Sequence, residues 1–340
     1  ASMEAGMDST ATDRKALEEQ LNDARTSPIC LSFEFLNDIT CNFSSEQELG
    51  NGGYGVVYKG VLRSGKIIAV KKLLDIYLED DQFQKEVINV MGIKHENIAQ
   101  LVGYCAETRW EAIKLKDGPV MAEVRKRLLC FEYLPNMSLD KHVSDESSGL
   151  DWIKRYEIIK GICSGLHFLH GERHIVHLDL KPGNILMDDA MMPKIADFGL
   201  SRLLGAQKSR TVVSGNHGGT LGYMAPEYNM QGVVTPMADI FSFGVIMIEI
   251  ITGSKEYPMS LVPYFQQTND NAGHQSVQQY IENVLGRWRN MFVQEPKYTT
   301  PEIYIEQVKQ CITLALKCVD YGSTKRPNAC DIYQMLTEEA

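Results

Sequence analysis

The pattern of apolar and polar residues first becomes regular between residues 49 and 74, with a period of two. Segments such as VVYKGVL and KIIAVKKL alternate in this way, which predicts strands with two distinct faces. The alternation places Ala69 and Lys71 on the same face. We therefore predict a sheet in which a lysine and a small apolar residue point to one side.

A helical period follows these strands. The segment EDDQFQKEVINVMGI begins with acidic residues, which favour a helix N-terminus, and continues with Phe83, Val87 and Val90 at helical spacing. Glu86 lies on the same side of this predicted helix as Phe83 and Val90. A glutamate there is ordinarily a solvated charge, but a lysine that faces a phosphate is best fixed by a carboxylate of defined position.

The first 43 residues carry two shorter amphipathic patterns. TDRKALEEQLNDA has a Thr/Asp start and a stripe of Leu17, Leu21 and Ala24, which predicts a short helix docked on the main domain or held by a partner. FEFLNDITCNFS predicts a second helix, which we expect to brace the domain edge through Phe35, Leu36 and Ile39.

Composition narrows the class of protein. A chain of 340 residues with 44% apolar and 23% charged residues can bury one large core or two lobes. Its net charge of −10, without blocks of lysine and arginine, argues against a nucleic-acid partner. The longest apolar run, FSFGVIMIEII, is too short for a membrane span, so we expect no transmembrane segment. The 8 cysteines form no C-x-x-C pair, which favours free, mostly buried thiols in a reducing, cytoplasmic setting.

A glycine-rich stretch precedes the alternating strands. LGNGGYGVVYKG supplies Gly50, Gly52 and Gly55, and glycines allow backbone amides to approach phosphate oxygens closely. The spacing alone is weak, because a glycine-rich hairpin turn is at least as common. A dinucleotide fingerprint would open a helix here, whereas VVYKGVL continues as a strand, so we exclude a Rossmann fold.

The stretch HLDLKPGN, residues 177–184, is too rich in proline and glycine for a helix, and it carries Asp179, Lys181 and Asn184. Together with GNGGYGVV, AVKK, Glu86, DFG at 197–199 and APE at 225–227, it resembles the protein kinase signature set, in the same order, over residues 44–338. LVGYC, FEYLPNMSLD and GTLGYMAPEY are similar to plant receptor-like kinases related to Pelle and IRAK, and IVHLDLKPGNILMDD resembles their grass branch.

The resemblance implies an α+β, bilobal protein-kinase fold. Residues 1–43 would form an N-terminal extension with short helices. Residues 44–133 would form the N-lobe, a small antiparallel β-sheet with one main helix, and residues 134–340 a larger, mostly α-helical C-lobe. The cofactors would be ATP, bound in the cleft, and Mg²⁺, or Mn²⁺ in its place.

The resemblance also implies roles for the polar residues of these motifs. Lys71 would hold the α- and β-phosphates and pair with Glu86, below the glycine-rich loop of Gly50, Gly52 and Gly55. Asp197 and Asn184 would be the metal ligands. Asp179 would orient the substrate hydroxyl and accept its proton, while Lys181 would neutralise charge on the transferred phosphoryl group. The adenine would meet these residues: Val57, Ala69 and Leu186 as apolar walls, Phe131 as gatekeeper, and the backbone of Glu132 and Leu134 as hinge.

For other positions, the resemblance implies roles in substrate specificity and in the structure of the C-lobe. Lys181 and Thr220 favour serine/threonine substrates. Asp239 matches the residue that ties down the backbone of the catalytic loop, and Glu227 with Arg326 matches a buried ion pair of the C-lobe. The activation segment offers these phosphorylation candidates: Ser201, Ser209, Thr211, Ser214 and Thr220, with Arg202 as a secondary basic site.

Two features depart from the family pattern. Residues 106–127 form an insertion longer than an ordinary hairpin loop, either a partner surface or, as we favour, a flexible excursion. Leu178 stands where many kinases have an arginine that binds a phosphate of the activation segment. We therefore expect activity that does not depend on that phosphate.

The resulting prediction is a serine/threonine protein kinase in plant receptor-linked, immune or stress signalling. Its partners would be a protein substrate and a membrane receptor or immune complex, which would bring it to the cytoplasmic face of the plasma membrane. Two alternatives stay open: a nucleotide-binding pseudokinase scaffold, and one kinase unit of a larger receptor or tandem kinase. Every catalytic polar position is filled, which favours the enzyme.

Overall fold

The alternating residues form a six-stranded sheet in the computed structural model of the chain, which describes residues 2–22, 27–74, 80–115, 118–143, 149–204, 210–213, 218–258 and 276–338. The chain divides into two compact units. The first comprises Ala1–His95 and Ala99–Leu134, and the second Glu96–Ile98 and Pro135–Ala340. The first is rich in strands and the second in helices, which confirms the predicted α+β class.

The sheet of the first unit has the order β1-β5-β6-β4-β3-β2. Its strands are β1 (Ile29–Cys30), β2 (Glu48–Gly52), β3 (Gly55–Val61), β4 (Ile67–Leu73), β5 (Leu101–Leu115) and β6 (Gly118–Glu132). Neighbouring strands are antiparallel, except that β1 lies parallel to β5, a pair that the sequence pattern did not predict.

One face of this sheet packs against two helices from the first 43 residues, α1 (Ser2–Asn22) and α2 (Phe33–Ile39). The buried cluster between them combines side chains of the sheet, such as Ile68, Val70 and Cys130, with these residues of the helices: Leu17, Phe35, Leu36 and Ile39. The apolar stripes predicted for both helices are thus confirmed at the described positions. Ala24 of the first stripe lies outside the described residues.

Hydrogen bonds fix the start of α2 against α1. The hydroxyl of Ser32 caps α2 by accepting from the backbone N–H of Phe35 at 3.3 Å. The Asp13 carboxylate of α1 accepts from both the backbone N–H of Ser32 at 2.9 Å and its hydroxyl at 2.5 Å. These contacts join the two helices to each other.

The opposite face of the sheet carries the residues implicated in nucleotide binding. Lys71 lies opposite Val57 on one side and Leu129 on the other, and Ala69 lies opposite Phe131. The predicted helix is α3 (Asp80–Val90), whose buried residues Phe83, Val87 and Val90 match the predicted apolar stripe.

The expectation of a flexible excursion at residues 106–127 is wrong. Apart from residues 116–117, which lie outside the described part of the chain, these residues continue β5 and β6 as an antiparallel ladder that is regular from Gly103 opposite Cys130 to Leu115 opposite Gly118. Backbone hydrogen bonds between the two strands give the insertion a defined structure.

The second unit contains six described helices and short strands. The helices are α4 (Trp152–Phe168), α5 (Pro226–Gln231), α6 (Pro236–Thr252), α7 (Val277–Gln294), α8 (Pro301–Cys318) and α9 (Ala329–Thr337). The strands are β7 (Ile175–Val176), β8 (Ile185–Met187), β9 (Pro193–Ile195), β10 (Arg202–Leu203), β11 (Thr211–Val212) and β12 (Val233–Val234). The apolar run FSFGVIMIEII forms most of α6, which is buried along nearly its whole length.

Two predictions from composition can be compared with the structure. None of the described helices is long and apolar enough to span a membrane. The cysteines are all free, and five of them are buried: Cys105, Cys130, Cys163, Cys311 and Cys318. Burial raises the pKa of the Cys105 thiol to about 12, so this group stays protonated at neutral pH.

Candidate active site

The stretch HLDLKPGN lies between β7 and β8, and a buried carboxylate holds its backbone in place. Asp239 of α6 is fully buried, and its two oxygens accept from the backbone N–H groups of His177 at 2.7 Å and Leu178 at 2.8 Å. Leu178 has a φ of +69°, which is costly for a leucine. The two hydrogen bonds to Asp239 stabilise this backbone conformation. They also confirm the contact expected between Asp239 and the backbone of the loop.

A histidine makes a third contact with the same carboxylate. His170 Nε2 lies 2.9 Å from Asp239 Oδ2. His170 could not be predicted from the sequence, because this contact joins residues that are distant along the chain and have no characteristic spacing. It makes Asp239 the centre of a buried polar network beneath the loop.

Asp179 is nearly buried, and both of its carboxylate oxygens have partners. Thr220 Oγ1 donates to Oδ1 at 2.7 Å, and Asn184 Nδ2 donates to Oδ2 at 3.0 Å and to the backbone carbonyl of Asp179 at 2.8 Å. Lys181 Nζ lies 3.1 Å from Oδ2 and donates to Thr220 Oγ1 at 2.8 Å. The structure thus brings together four residues that the sequence predicts as functional, with a cation beside a fixed carboxylate.

The DFG segment is joined to the same loop. His177 Nε2 lies 3.0 Å from the carbonyl of Ala196, and its ring meets the ring of Phe198 edge-on with centroids 5.0 Å apart. Asn184 accepts from the backbone N–H of Ala196 at 2.9 Å. Asp197 follows with a φ of +63°, a conformation uncommon for a residue other than glycine. Side-chain and backbone contacts therefore fix Asp197 relative to Asn184.

In the first unit, Lys71 is 6% exposed, so its long side chain is placed by packing rather than by solvent. The glycines of β2 and β3 differ in what they allow. A Cβ at Gly55 would lie 2.5 Å from the backbone oxygen of Lys72, so the close approach of β4 requires glycine there. At Gly50 no atom lies within contact distance of such a Cβ, and at Gly52 only one does, at 3.8 Å.

The remaining nucleotide-binding candidates are placed as follows. The backbone N–H of Glu132 donates to the carbonyl of Gln100 at 3.0 Å. Leu134 is half-buried at the end of the first unit. Leu186 belongs to β8 in the second unit, where it pairs with Lys194 of β9.

Some predicted residues lie outside the described part of the chain. These are the side chain of Glu86, whose backbone belongs to α3, and the phosphorylation candidates Ser209 and Ser214. Thr211 is exposed in β11. Ser201 is 2% exposed and donates to the carbonyl of Phe198 at 2.7 Å, so its hydroxyl is a structural donor rather than an accessible acceptor of phosphate.

Polar anchors also hold the segment that follows Thr220. Tyr223 donates to Glu249 Oε2 at 2.6 Å, and burial together with this hydrogen bond raises the pKa of the tyrosine hydroxyl. The fully buried Arg326 guanidinium contacts both oxygens of Glu227, with Nη1 to Oε1 at 2.6 Å and Nη2 to Oε2 at 2.9 Å. This bidentate pair confirms the expected scaffold contact.

Comparison with known proteins agrees with this geometry. The profile of the family described as "Protein kinase domain" matches residues 43–336. The chain belongs to the protein kinase family. This kinase domain is 36% identical to cysteine-rich receptor-like protein kinase 44 of Arabidopsis thaliana over 95% of the chain and 80% of that protein.

Other plant relatives are longer than this chain. Cysteine-rich receptor-like protein kinase 29 of Arabidopsis thaliana is 36% identical over 92% of the chain but only 43% of its own length. G-type lectin S-receptor-like serine/threonine-protein kinase RKS1 of Arabidopsis thaliana is 36% identical over 88% of the chain and 33% of its own length. The similarity to plant receptor-like kinases predicted from the motifs is confirmed.

A protein kinase domain uses ATP and a divalent metal ion, and the donor chemistry at the DFG segment fits such an ion. Asp197 offers a carboxylate and Asn184 a carboxamide oxygen, both hard donors. Within the described residues, no group of three or more His, Cys, Asp and Glu side chains could hold a metal by itself. Mg²⁺ is commonly held by one or two protein ligands together with substrate phosphates, which agrees with so small a set.

Proposed function

We propose that this kinase domain is catalytically active and transfers the γ-phosphate of ATP to serine or threonine hydroxyls of proteins. The observation that carries the proposal is the network around Asp179. Its carboxylate is fixed by Thr220 and Asn184, and Lys181 lies beside it. A general base must be held at a defined position, and the contacts of the Asp179 carboxylate support this role.

In this proposal the residues of the second unit have separate roles in phosphate transfer. Asp179 orients the substrate hydroxyl and accepts its proton, while Lys181 neutralises negative charge that develops during transfer. Asn184 and Asp197 would hold Mg²⁺, with Mn²⁺ as the alternative, and such an ion would supply positive charge opposite the phosphates. Thr220 keeps Lys181 and Asp179 together, which supports serine/threonine specificity.

The residues of the first unit would bind ATP. Lys71 would hold the α- and β-phosphates and Glu86 would fix Lys71, below the glycine-rich strands of Gly50, Gly52 and Gly55. The adenine contacts proposed in the first unit are Val57, Ala69, Phe131, Glu132 and Leu134. In the second unit, the proposed adenine contact is Leu186. We assign residues 44–133 and 134–340 to the two lobes and residues 1–43 to an N-terminal extension.

The biological setting follows from the relatives. Several of them are named receptor-like kinases, and the chain spans less than half of some of them, for example 43% of cysteine-rich receptor-like protein kinase 29. We propose that the domain phosphorylates protein substrates in receptor-linked signalling, in contact with a membrane receptor or an immune complex at the cytoplasmic face of the plasma membrane. Being one kinase unit of a larger receptor or tandem kinase is compatible with this proposal.

The test is phosphate transfer by the purified chain with Mg²⁺-ATP to a generic protein substrate, followed by phosphoamino acid analysis. We expect phosphoserine and phosphothreonine, and a loss of at least about 10³-fold in kcat for Asp179→Asn. Nucleotide binding by Asp179→Asn, measured by calorimetry, should match the unchanged protein. If the unchanged chain binds nucleotide but transfers no phosphate with Mg²⁺ or Mn²⁺, the scaffold alternative is correct.

A further inference from the structure

The outer part of the β5–β6 hairpin, residues 106–115 and 118–127, extends beyond the rest of the sheet, and we call it the ribbon. β1 pairs with β5 only at Gly103 and Tyr104. β4 pairs with β6 only from Leu128 to Glu132. Within the described residues, the two strands of the ribbon therefore form ladder pairs only with each other.

The ribbon exposes large apolar side chains on both of its faces. Trp110 is 66% exposed and Met121 58% on one face, and Val120 is 49% and Ile113 41% exposed on the other. An isolated two-stranded ribbon is marginally stable in water, and a long exposed edge is a template for strand addition. This surface is therefore better explained as an interface than as a solvated loop.

Contacts at the base fix the ribbon and leave its middle open. Arg127 is buried and donates to the carbonyl of Glu107 at 2.7 Å and to Thr108 Oγ1 at 3.0 Å. The Glu107 carboxylate accepts from the backbone N–H of Phe33 at 2.7 Å. Beyond these residues the edge of β5 is exposed from Arg109 onwards.

The charges on β5 indicate which partner this edge fits. When a second copy of β5 lies antiparallel and centred on Trp110, Arg109 of each copy lies opposite Glu111 of the other, and the two Trp110 side chains face each other. Opposite charges and aromatic pairs at directly opposed positions stabilise antiparallel strands. Centring on Arg109 or on Glu111 would instead place like charges together.

A further register, centred on Thr108, would pair Arg109 with Glu107. The Glu107 carboxylate already accepts from the backbone N–H of Phe33 and lies 2.8 Å from Arg109 of its own chain, and only 22% of the Glu107 side chain is exposed, so this register is disfavoured. The Arg109 side chain itself stays 61% exposed. The edge also carries acidic and basic residues in equal number, Glu107, Arg109, Glu111 and Lys114, within a chain of net charge −10. Two copies therefore meet here without the repulsion that their overall charge creates elsewhere.

We propose that the ribbon is a self-association surface, through which two copies of this chain form a dimer by antiparallel pairing of β5 around Trp110. Strand addition supplies backbone hydrogen bonds, and the Arg109–Glu111 pairs supply the register. The interface is isologous, so it closes at two copies. Because the paired edge is short, we expect a reversible dimer with a dissociation constant on the order of micromolar.

Sedimentation velocity over a concentration series tests this proposal with the full chain. We expect the unchanged protein to shift from monomer to dimer, and Arg109→Glu and Glu111→Arg to weaken association at least about tenfold, because each places like charges in opposition. An equimolar mixture of the two variants restores complementary pairs, and should dimerise within about threefold of the unchanged protein. Recovery in the mixture cannot arise from damage to folding.

Tryptophan fluorescence gives a second measurement. Trp110 is exposed, while the other two tryptophans, Trp152 and Trp288, are buried. Acrylamide quenching should therefore decrease with protein concentration in the unchanged chain and in the mixture, but not in either variant alone. The matched control is Arg125→Glu on β6, which reverses an arginine of the same ribbon outside the proposed edge and should leave the dimer intact.

Three outcomes would overturn the proposal. The first is an unchanged chain that stays monomeric up to about 100 times the expected micromolar range. The second is a dimer that survives both charge reversals, since its contact would then lie elsewhere. The third is a mixture of the two variants that stays monomeric. None of these measurements depends on phosphate transfer, so the result is independent of the proposed activity.

Discussion

The catalytic loop of the second unit and the part of the ribbon beyond Glu107 and Arg127 hold their charged side chains in opposite ways. Asp239 and Asp179 are buried or nearly so, and each accepts several hydrogen bonds. On the ribbon, Arg125 lies 2.6 Å from Glu123 Oε1, but both side chains are 35% exposed. Buried groups that lose a partner cost several kcal/mol, whereas exposed ion pairs contribute about 0–1 kcal/mol. We therefore expect single substitutions in the loop to have large effects, whereas effects at the ribbon should depend on the arrangement of charges along the strand edge.

The largest effect should come from the centre of the buried network. Asp239→Ala leaves the backbone N–H groups of His177 and Leu178 without their acceptor and removes the contact with His170. We expect a loss of about 3–5 kcal/mol in the free energy of unfolding, measured with urea, and a loss of most phosphate transfer.

Asp239→Asn serves if the alanine variant does not fold, because it keeps the shape but can accept only one of the two N–H groups well. Its melting temperature and kcat should both fall. The control is Glu172→Ala, an exposed acid near the loop, which should change stability by less than about 0.5 kcal/mol. Equal losses in Glu172→Ala and Asp239→Ala would show that the network has no special role.

A smaller effect is expected at the hydroxyl that joins Lys181 to Asp179. Thr220→Val keeps the shape of the side chain but removes the group that donates to Asp179 and accepts from Lys181. We expect kcat to fall on the order of 10- to 100-fold with little change in KM for ATP, since an orienting contact is lost. Thr220→Ser retains the hydroxyl and should recover activity to within a few-fold, and a serine variant as slow as the valine variant would argue against this role.

The third prediction concerns Leu178, which is 5% exposed and has no hydrogen-bond donor to offer a phosphate. The Arg202 guanidinium donates to the carbonyls of Leu200 and Ser201, both at 3.1 Å, so it is engaged with the backbone. Asp239 holds the backbone of the loop through contacts that involve no phosphate. We therefore expect phosphatase-treated protein to keep its initial rate of peptide phosphorylation within a few-fold. A loss of about 100-fold, or ~2.7 kcal/mol in the barrier, would mean that another basic residue has replaced the missing arginine.

The same comparison explains how much the sequence could predict. The loop of residues 177–184 was predictable because its chemistry requires particular residue types at fixed spacing, and the sequence alone indicates Asp179, Lys181 and Asn184 as candidates. Other contacts could not be predicted from the sequence. His170 and Asp239 are distant along the chain, and the parallel pairing of β1 with β5 involves only two residues of β1. Neither leaves a local signal.

The ribbon was missed for another reason. Its length suggested a loop, and its apolar residues occur on both faces, which blurs the alternation typical of a half-buried strand. The dipeptide Asp-Gly at residues 117–118 is typical of hairpin turns, and it lies between the two segments that form the ribbon.

Shortening the ribbon should have the smallest effect on phosphate transfer and stability. It tests whether the ribbon is independent of the catalytic loop. Replacing residues 110–123 by Asn-Gly would join Arg109 directly to Val124, its partner in the ladder, through a two-residue turn. The base contacts of Arg127 with Glu107 and Thr108 are kept. Because the removed side chains are largely exposed and lie far along the strands from Lys71 and Phe131, we expect kcat and KM within about twofold and a change in stability below ~1 kcal/mol. The shortened chain should be monomeric at every concentration at which the full chain dimerises. A shortened chain that loses phosphate transfer even when monomeric full-length protein is active would mean that the ribbon supports the sheet beneath it, and the two regions would then not be independent.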